Sequence, residues 1–399
     1  MKKKYAPSLG IASIIGILSL SPTAEAQDVV NPNKETTNLL KEDTVLRLEP
    51  TLHLRLAHGS TTLPNESVEL GGHDPSEDNF NFQAFEIGTN IYIGDNISGF
   101  ATVNTYKRDG EDFESEFEEG FLKLDNLPGG FELRGGRMLA RFGDQNARHL
   151  HAWDFADANM TTVRFLGEDG FAYDGGELTW LVPTSWQDAL SVGLGSAVTH
   201  EHEEEHGDED GGAEEEHDHG EEAEMARPEK NIIVVRYQTQ FGPNDFHRFQ
   251  AGGSFLTGDN GFGMTTDIYG ADFTYTWRQN GLEEGGQQFR WRSEWIMRDA
   301  ETEDGRLEDS GFNTALLWEF TQDWEAGLRY GYLEGTTVGD LELVERQRIS
   351  PSLTKRFEFG SDLTGLVRLQ YNHDDIKGHG TEDSIWLQFG FDWGPGEVR

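Results

Sequence analysis

Five histidines and fourteen carboxylates crowd one stretch of this chain. His200, His202, His206, His217 and His219 stand among Asp and Glu between positions 200 and 224. Neutral imidazole and carboxylate suit zinc, copper or nickel. His200-x-His202 and His217-x-His219 are short chelating pairs. Without a scaffold they fit several weak, exchanging sites better than one tight site. A solvated acidic loop is the plainer alternative. It explains the carboxylates but not five of thirteen histidines in one run. A second group is His149-x-His151 with Asp154, beside Trp153 and Phe155. It could coordinate a metal, or its histidines could simply hydrogen-bond a loop to its surroundings.

The elements that carry these groups are read from alternation. About sixteen short segments between Thr44 and Trp393 alternate apolar and polar residues, which buries one face of a strand and wets the other. They fall near 44–57, 79–93, 97–107, 115–125, 131–140, 171–182, 189–199, 231–241, 246–257, 265–278, 286–299, 311–320, 324–334, 344–357, 362–373 and 382–393. Every second connection is short and rich in turn residues, such as Gly94-Asp95-Asn96. The others are mostly longer or more acidic. The expected fold is all-β: a transmembrane antiparallel barrel with short periplasmic turns and long acidic extracellular loops. In 265–278, Tyr269, Ala271, Phe273, Tyr275 and Trp277 share the lipid face. Ile385, Leu387, Phe389, Phe391 and Trp393 do so in 382–393.

The first residues read as a secretory signal. Lys2, Lys3 and Lys4 precede an apolar stretch from Leu9 to Leu20, and Ala24-Glu25-Ala26 is a cleavage site. The expected organisation is a signal at 1–26, a periplasmic leader at 27–43, a barrel at 44–393 and a tail at 394–399. Within the barrel, 200–230 is the His/Glu-rich outer loop. The chain has no cysteine, so disulfides and thiolate metal sites are excluded. The formal charge of −41 argues against nucleic-acid binding. It favours attraction of cations at long range.

Strand parity points Arg134, Arg236, Arg248, Arg278, Arg290, Arg292, Arg329 and Arg368 into the lumen. The same parity points Glu86, Glu132, Glu177, Asp272, Glu294, Glu319, Glu325 and Asp392 there. The two sets balance, so selectivity rests on which of them line the narrowest section. Arginines there would favour anions; pairing across strands would make them wall filling. No spacing singles out a nucleophile, base and orienting acid, so an enzyme is not expected.

The alternation and the terminal aromatic strand resemble a sixteen-stranded porin. The stretch from Leu133 to Gly143, LRGGRMLARFG, is similar to a strand of the phosphate-selective porin O and P family. His149 to Phe155 and Arg164 to Gly170 resemble outer-membrane proteins of proteobacteria described as zinc-regulated. The resemblance implies that the loop 141–170 folds inward as a constriction and that the barrel forms a homotrimer in outer-membrane lipid. The expected function is diffusion of small ions or solutes, with outer loops that capture divalent cations such as zinc. No cofactor is required; a weakly held zinc or other divalent cation is the candidate ligand. An anion-selective porin and a non-conducting metal-binding surface barrel are the alternatives.

Overall fold

The computed structural model describes residues 45–64, 69–107, 112–198, 223–360 and 362–398. The signal and leader segments and the five histidines from His200 to His219 lie outside the described residues.

Sixteen antiparallel strands close into one barrel. They are β1 (Leu46–Thr61), β2 (Asn79–Ile93), β3 (Ile97–Lys107), β4 (Phe113–Leu127), β5 (Phe131–Leu139), β6 (Ala172–Val182), β7 (Gln187–Ala197), β8 (Pro228–Asn244), β9 (His247–Asn260), β10 (Thr265–Arg278), β11 (Gln288–Thr302), β12 (Gly305–Glu319), β13 (Trp324–Leu333), β16 (Arg346–Glu358), β17 (Leu363–Ile376) and β18 (Gly380–Trp393). A small ribbon of β14 (Thr336–Val338) and β15 (Leu341–Leu343) sits in the connection after β13. The barrel closes where β1 pairs with β18, from Leu52 opposite Trp393 to Thr61 opposite Ser384.

The outer face is apolar where lipid would touch it. Ile87, Leu133, Leu178, Leu328, Leu369 and Ile385 are each more than 40 % exposed. On a water-soluble protein such a surface would drive association; around a barrel it is what hydrocarbon requires. Aromatic rings gather toward the short turns. Trp186 stacks on Phe241 at 5.0 Å, and Phe249 packs on Tyr275 at 5.0 Å. Such a girdle marks a membrane interface. This is an outer-membrane barrel, and its belt places it in the outer membrane.

All sixteen anticipated strands are present. Several run further outward than alternation suggested. β11 and β12 pair to Thr302 opposite Gly305, so a tight hairpin replaces the long connection expected at 300–310. Polar rungs beyond the bilayer keep pairing, because backbone groups gain partners there whatever their side chains prefer.

The lumen departs from the expected polar interior. Phe142, Met160, Phe165 and Leu166 enter it and pack with Phe100, Phe121, Ile268, Ile296 and Leu333 in one buried cluster. The first four come from the segment between β5 and β6, and the wall supplies the rest. Apolar side chains carried into the barrel need apolar wall opposite, so the inward face is locally hydrophobic.

Candidate functional site: a loop seated in the lumen

The segment from Arg141 to Gly170 lies inside the barrel, packed against its wall. Its helix α1 (Met160–Leu166) is buried on all sides. Asn159 caps it by accepting from the backbone N–H of Thr162 at 2.7 Å. Wall glycines make room. A Cβ at Gly270 would fall 2.6 Å from the Phe142 ring, and one at Gly311 would fall 2.8 Å from Phe165. Between loop and wall near Asp154 and Arg292 a cavity of only ≈ 30 Å³ remains, space for roughly one water.

One side of the loop is fastened by arginine. Asp157 is 4 % exposed and accepts from Arg329 at 2.6 Å, Arg348 at 2.9 Å, Gln370 at 2.5 Å and Asn372 at 3.0 Å. Burial opposes its charge, yet Arg329 and Arg348 hold its pKa below the usual carboxylate value. Arg329 also donates to the carbonyls of Asp157 and Ala158. The first outer loop joins this latch. Glu69 pairs with Arg164 and with Arg346, the latter at 3.1 Å. Asp74 accepts from the N–H groups of Ala158 and Gly71 at 2.7 and 2.9 Å. Burial and the nearby Asp157 charge push the Asp74 carboxyl up to about 7.

The other side is fastened by histidine and carboxylate. His149 places Nε2 2.9 Å from Glu119 and Nδ1 3.0 Å from Glu118. His151 Nδ1 lies 2.5 Å from Glu86 and its Nε2 3.5 Å from Glu397. Burial disfavours charge on His151, but Glu86 and Glu397 outweigh it and hold its pKa above the usual imidazole value. The His53 ring stacks on His151 with centroids 3.6 Å apart, and His53 Nδ1 meets Asp392 at 2.8 Å. His73 lies 3.3 Å from Asp169.

Two β-bulges build this side. Thr102 pairs with Glu119 and Val103 with Phe117, so Glu118 is an extra residue and both carboxylates turn inward. Arg55 pairs with Ala84 and Leu56 with Phe82, which turns Gln83 inward as well. Gln83 then donates to the carbonyls of His73 and Ala156 at 3.0 and 2.7 Å. Bulges re-aim side chains in this way beside functional sites.

The expected site residues are distributed as follows. His149 and His151 share the lumen but serve different carboxylates. Asp154 does not join them. It pairs instead with Arg292 at 2.9 Å, Arg148 at 3.4 Å and Arg290 at 3.5 Å, because three buried guanidiniums outbid two histidines that already have acids. Among the described residues, two sets of acid and histidine atoms lie within metal-binding reach: His53, His151 and Glu397, and Glu86, Glu118 and His149.

Of the eight inward arginines, seven are engaged with wall or loop, Arg278 by donating to the Gln288 side-chain oxygen at 2.8 Å. Arg134 pairs with Glu177 at 2.8 Å, Arg236 with Asp272 at 2.7 Å, Arg290 with Glu325, Arg292 with Asp154 and Arg329 with Asp157. Arg368 donates to Thr354, Gln388 and the Trp153 carbonyl. Glu294 accepts from the backbone of Asp144 at 3.3 Å, and Glu132 lies 3.9 Å from Lys123. Arg248 and Arg278 have no ion pair among the described residues and line a ≈ 560 Å³ cavity at the short-turn mouth.

The tail is not a bystander. Gly394 turns at φ +110, Asn90 donates to the Gly396 carbonyl at 2.8 Å and the Val398 N–H donates back to Asn90 at 2.7 Å. Glu397 is thereby carried to His151. Arg55, Arg298, Arg346 and Arg348, all 2 % exposed or less, also face inward and are absent from the sequence-based set. They stand on the inward parity of their strands, so the same rule would have found them. No parity rule could have found Glu118 or Gln83.

The fold and the seated loop define an outer-membrane barrel of the porin type. Comparisons agree on that fold. OprB of Pseudomonas putida superposes with a TM-score of 0.54 at 9% identity, covering 88% of this chain and 94% of its own. An OmpT of Vibrio cholerae lacking loop L8 gives 0.52 at 10%, covering 88% and 99%. The outer-membrane channel DcaP of Acinetobacter baumannii gives 0.51 at 8%, covering 88% and 97%. In sequence, an uncharacterized protein of Aquifex aeolicus is 24% identical over 287 residues. That match takes in 66% of this chain and spans 57% of the relative's length. No family profile matches the chain.

Proposed function

We propose that this protein is a narrow outer-membrane channel whose conductance is set by the seated loop and which favours small cations. One observation carries the reading: the segment from Arg141 to Gly170 fills the lumen and is held by ion pairs from opposite walls. Four of the eight inward arginines contact the loop, Arg290, Arg292, Arg329 and Arg368, and Arg134, Arg236 and Arg278 are tied to the wall, so they do not form a free anion ladder. Fixed carboxylates and the net charge of −41 then bias the mouth toward cations. The His200–His219 run adds weak capture of zinc or similar ions at the outer mouth. Kinship to the phosphate-selective porin O and P family or to the zinc-regulated proteins, and assembly as a homotrimer, belong to the same reading. Arg248 and Arg278 favour a second reading, an anion preference set at the short-turn mouth.

The test is the reversal potential of the purified barrel in a planar bilayer under a salt gradient, before and after zinc is added on the loop side. A small cation-selective current altered by zinc is expected. An anion-selective current indifferent to zinc supports the second reading. Absence of current from folded protein overturns both and leaves surface capture.

A further inference from the structure

The His53–His151 stack meets three conditions for a metal site at once. Each imidazole has its Nδ1 against a carboxylate, Asp392 at 2.8 Å and Glu86 at 2.5 Å. That outer arrangement fixes the tautomer which leaves Nε2 free to ligate, and metal-binding histidines almost always show it. His53 Nε2 is buried and has no hydrogen-bond partner. A buried, unpaired ring nitrogen is costly unless something else occupies it. Finally, Glu397 presents a carboxylate oxygen 3.5 Å from His151 Nε2. The three ligand atoms lie within 4.8 Å of one another.

We propose that His53, His151 and Glu397 bind one divalent transition-metal ion of the zinc class. Two imidazoles and one carboxylate suit zinc, with a fourth position left for water. At zinc–ligand distances of about 2.1 Å, tetrahedral ligands sit about 3.4 Å apart. His151 and Glu397 are already at that spacing; the two rings, 9° from parallel, must splay so that both Nε2 lone pairs aim at one ion, and His151, which rides on the loop, can supply that movement. The companion set of Glu86, Glu118 and His149 is a poorer host, since it offers one imidazole and two carboxylates where zinc takes up nitrogen readily.

The ion would join three separate parts of the chain: the wall at β1, the seated loop and the tail. It would act as a staple, holding loop and tail against the same side of the lumen. This site is distinct from the weak sites on the outer run and needs no current to be detected.

The test uses the full-length folded barrel with His200, His202, His206, His217 and His219 replaced by Ser, so that the outer run is silent. Zinc is titrated in competition with a chromophoric chelator, and folding is checked by the heat-dependent gel shift of closed barrels. One zinc per chain is expected, weakened at least about tenfold in Glu397→Gln and lost in His53→Gln. Glu397 lies on the tail beyond the last strand, so its variant keeps the barrel intact even if His53→Gln fails to fold. Cobalt in place of zinc should give the absorption of a four-coordinate nitrogen–oxygen site. No zinc binding in the silent background overturns the proposal. So does binding untouched by Glu397→Gln, or binding lost in His149→Gln but kept in Glu397→Gln.

Discussion

The two flanks of the seated loop are held by different chemistry. Toward β13, β16 and β17 the fasteners are guanidiniums converging on Asp157 and Glu69. Toward β1, β2 and β4 they are mainly imidazoles meeting Glu86, Glu118 and Glu119, joined by one guanidinium, Arg55, that donates to the His151 carbonyl at 2.7 Å. Arginine stays charged at every working pH and forks onto carboxylates with fixed geometry. Histidine changes charge near neutrality and also accepts metal. One flank is therefore a permanent anchor and the other a conditional one. A loop anchored on one side and adjustable on the other can vary a passage without leaving it.

The largest way to break that contrast is Asp157→Ala. It leaves Arg329 without its carboxylate and Arg348 with Asp374 alone, and breaking a buried pair costs about 3–5 kcal/mol. The loop should release, giving a large rise in single-channel conductance and new protease cuts within 141–170. An unchanged channel would show that the arginine flank is not the anchor. His149→Gln is the matching change on the other flank. Gln keeps a donor toward one glutamate, so the expected cost is about 1–3 kcal/mol, seen as a smaller conductance step. Equal effects from the two variants would erase the distinction.

Gly270→Ala tests the apolar floor that both flanks share. The new methyl would meet the Phe142 ring at 2.6 Å, and overpacking of this kind costs about 1–3 kcal/mol. It should lower the barrel's unfolding midpoint in urea without altering ion preference. The smallest effect is on pH. The Asp74 carboxyl holds its proton up to about 7 when seated, against 3.8 when released. A raised carboxylate value means the seated loop is favoured most below pH 4 and loses that advantage as pH rises toward 7. Conductance should drift upward across that range, and Asp74→Asn should flatten the drift.

The barrel was legible because lipid enforces alternation on every strand. Sixteen segments could be counted without any contact being known. The site was less legible, for two reasons. First, bulges suspend alternation where function needs it: Glu118 and Gln83 point inward only because one residue was added to a strand. Second, the loop's partners are distant in sequence. Nothing near Asp154 reveals that Arg290 and Arg292 will claim it, and nothing near His151 announces Glu397. The inward course of 141–170 came from family resemblance, and its fastening could be read only in three dimensions.

The seam between β1 and β18 has a consequence for how the molecule is made. His53 and Arg55 on the first strand meet Asp392 on the last, at 2.8 and 2.9 Å. None of these contacts exists while the sheet is an open ribbon. The seam's own share of the histidine flank, and the tail that follows the last strand onto it, come into being only when the final rung of hydrogen bonds zips shut. Completion of the barrel and docking of its tail are thus one event, and an open ribbon lacks both.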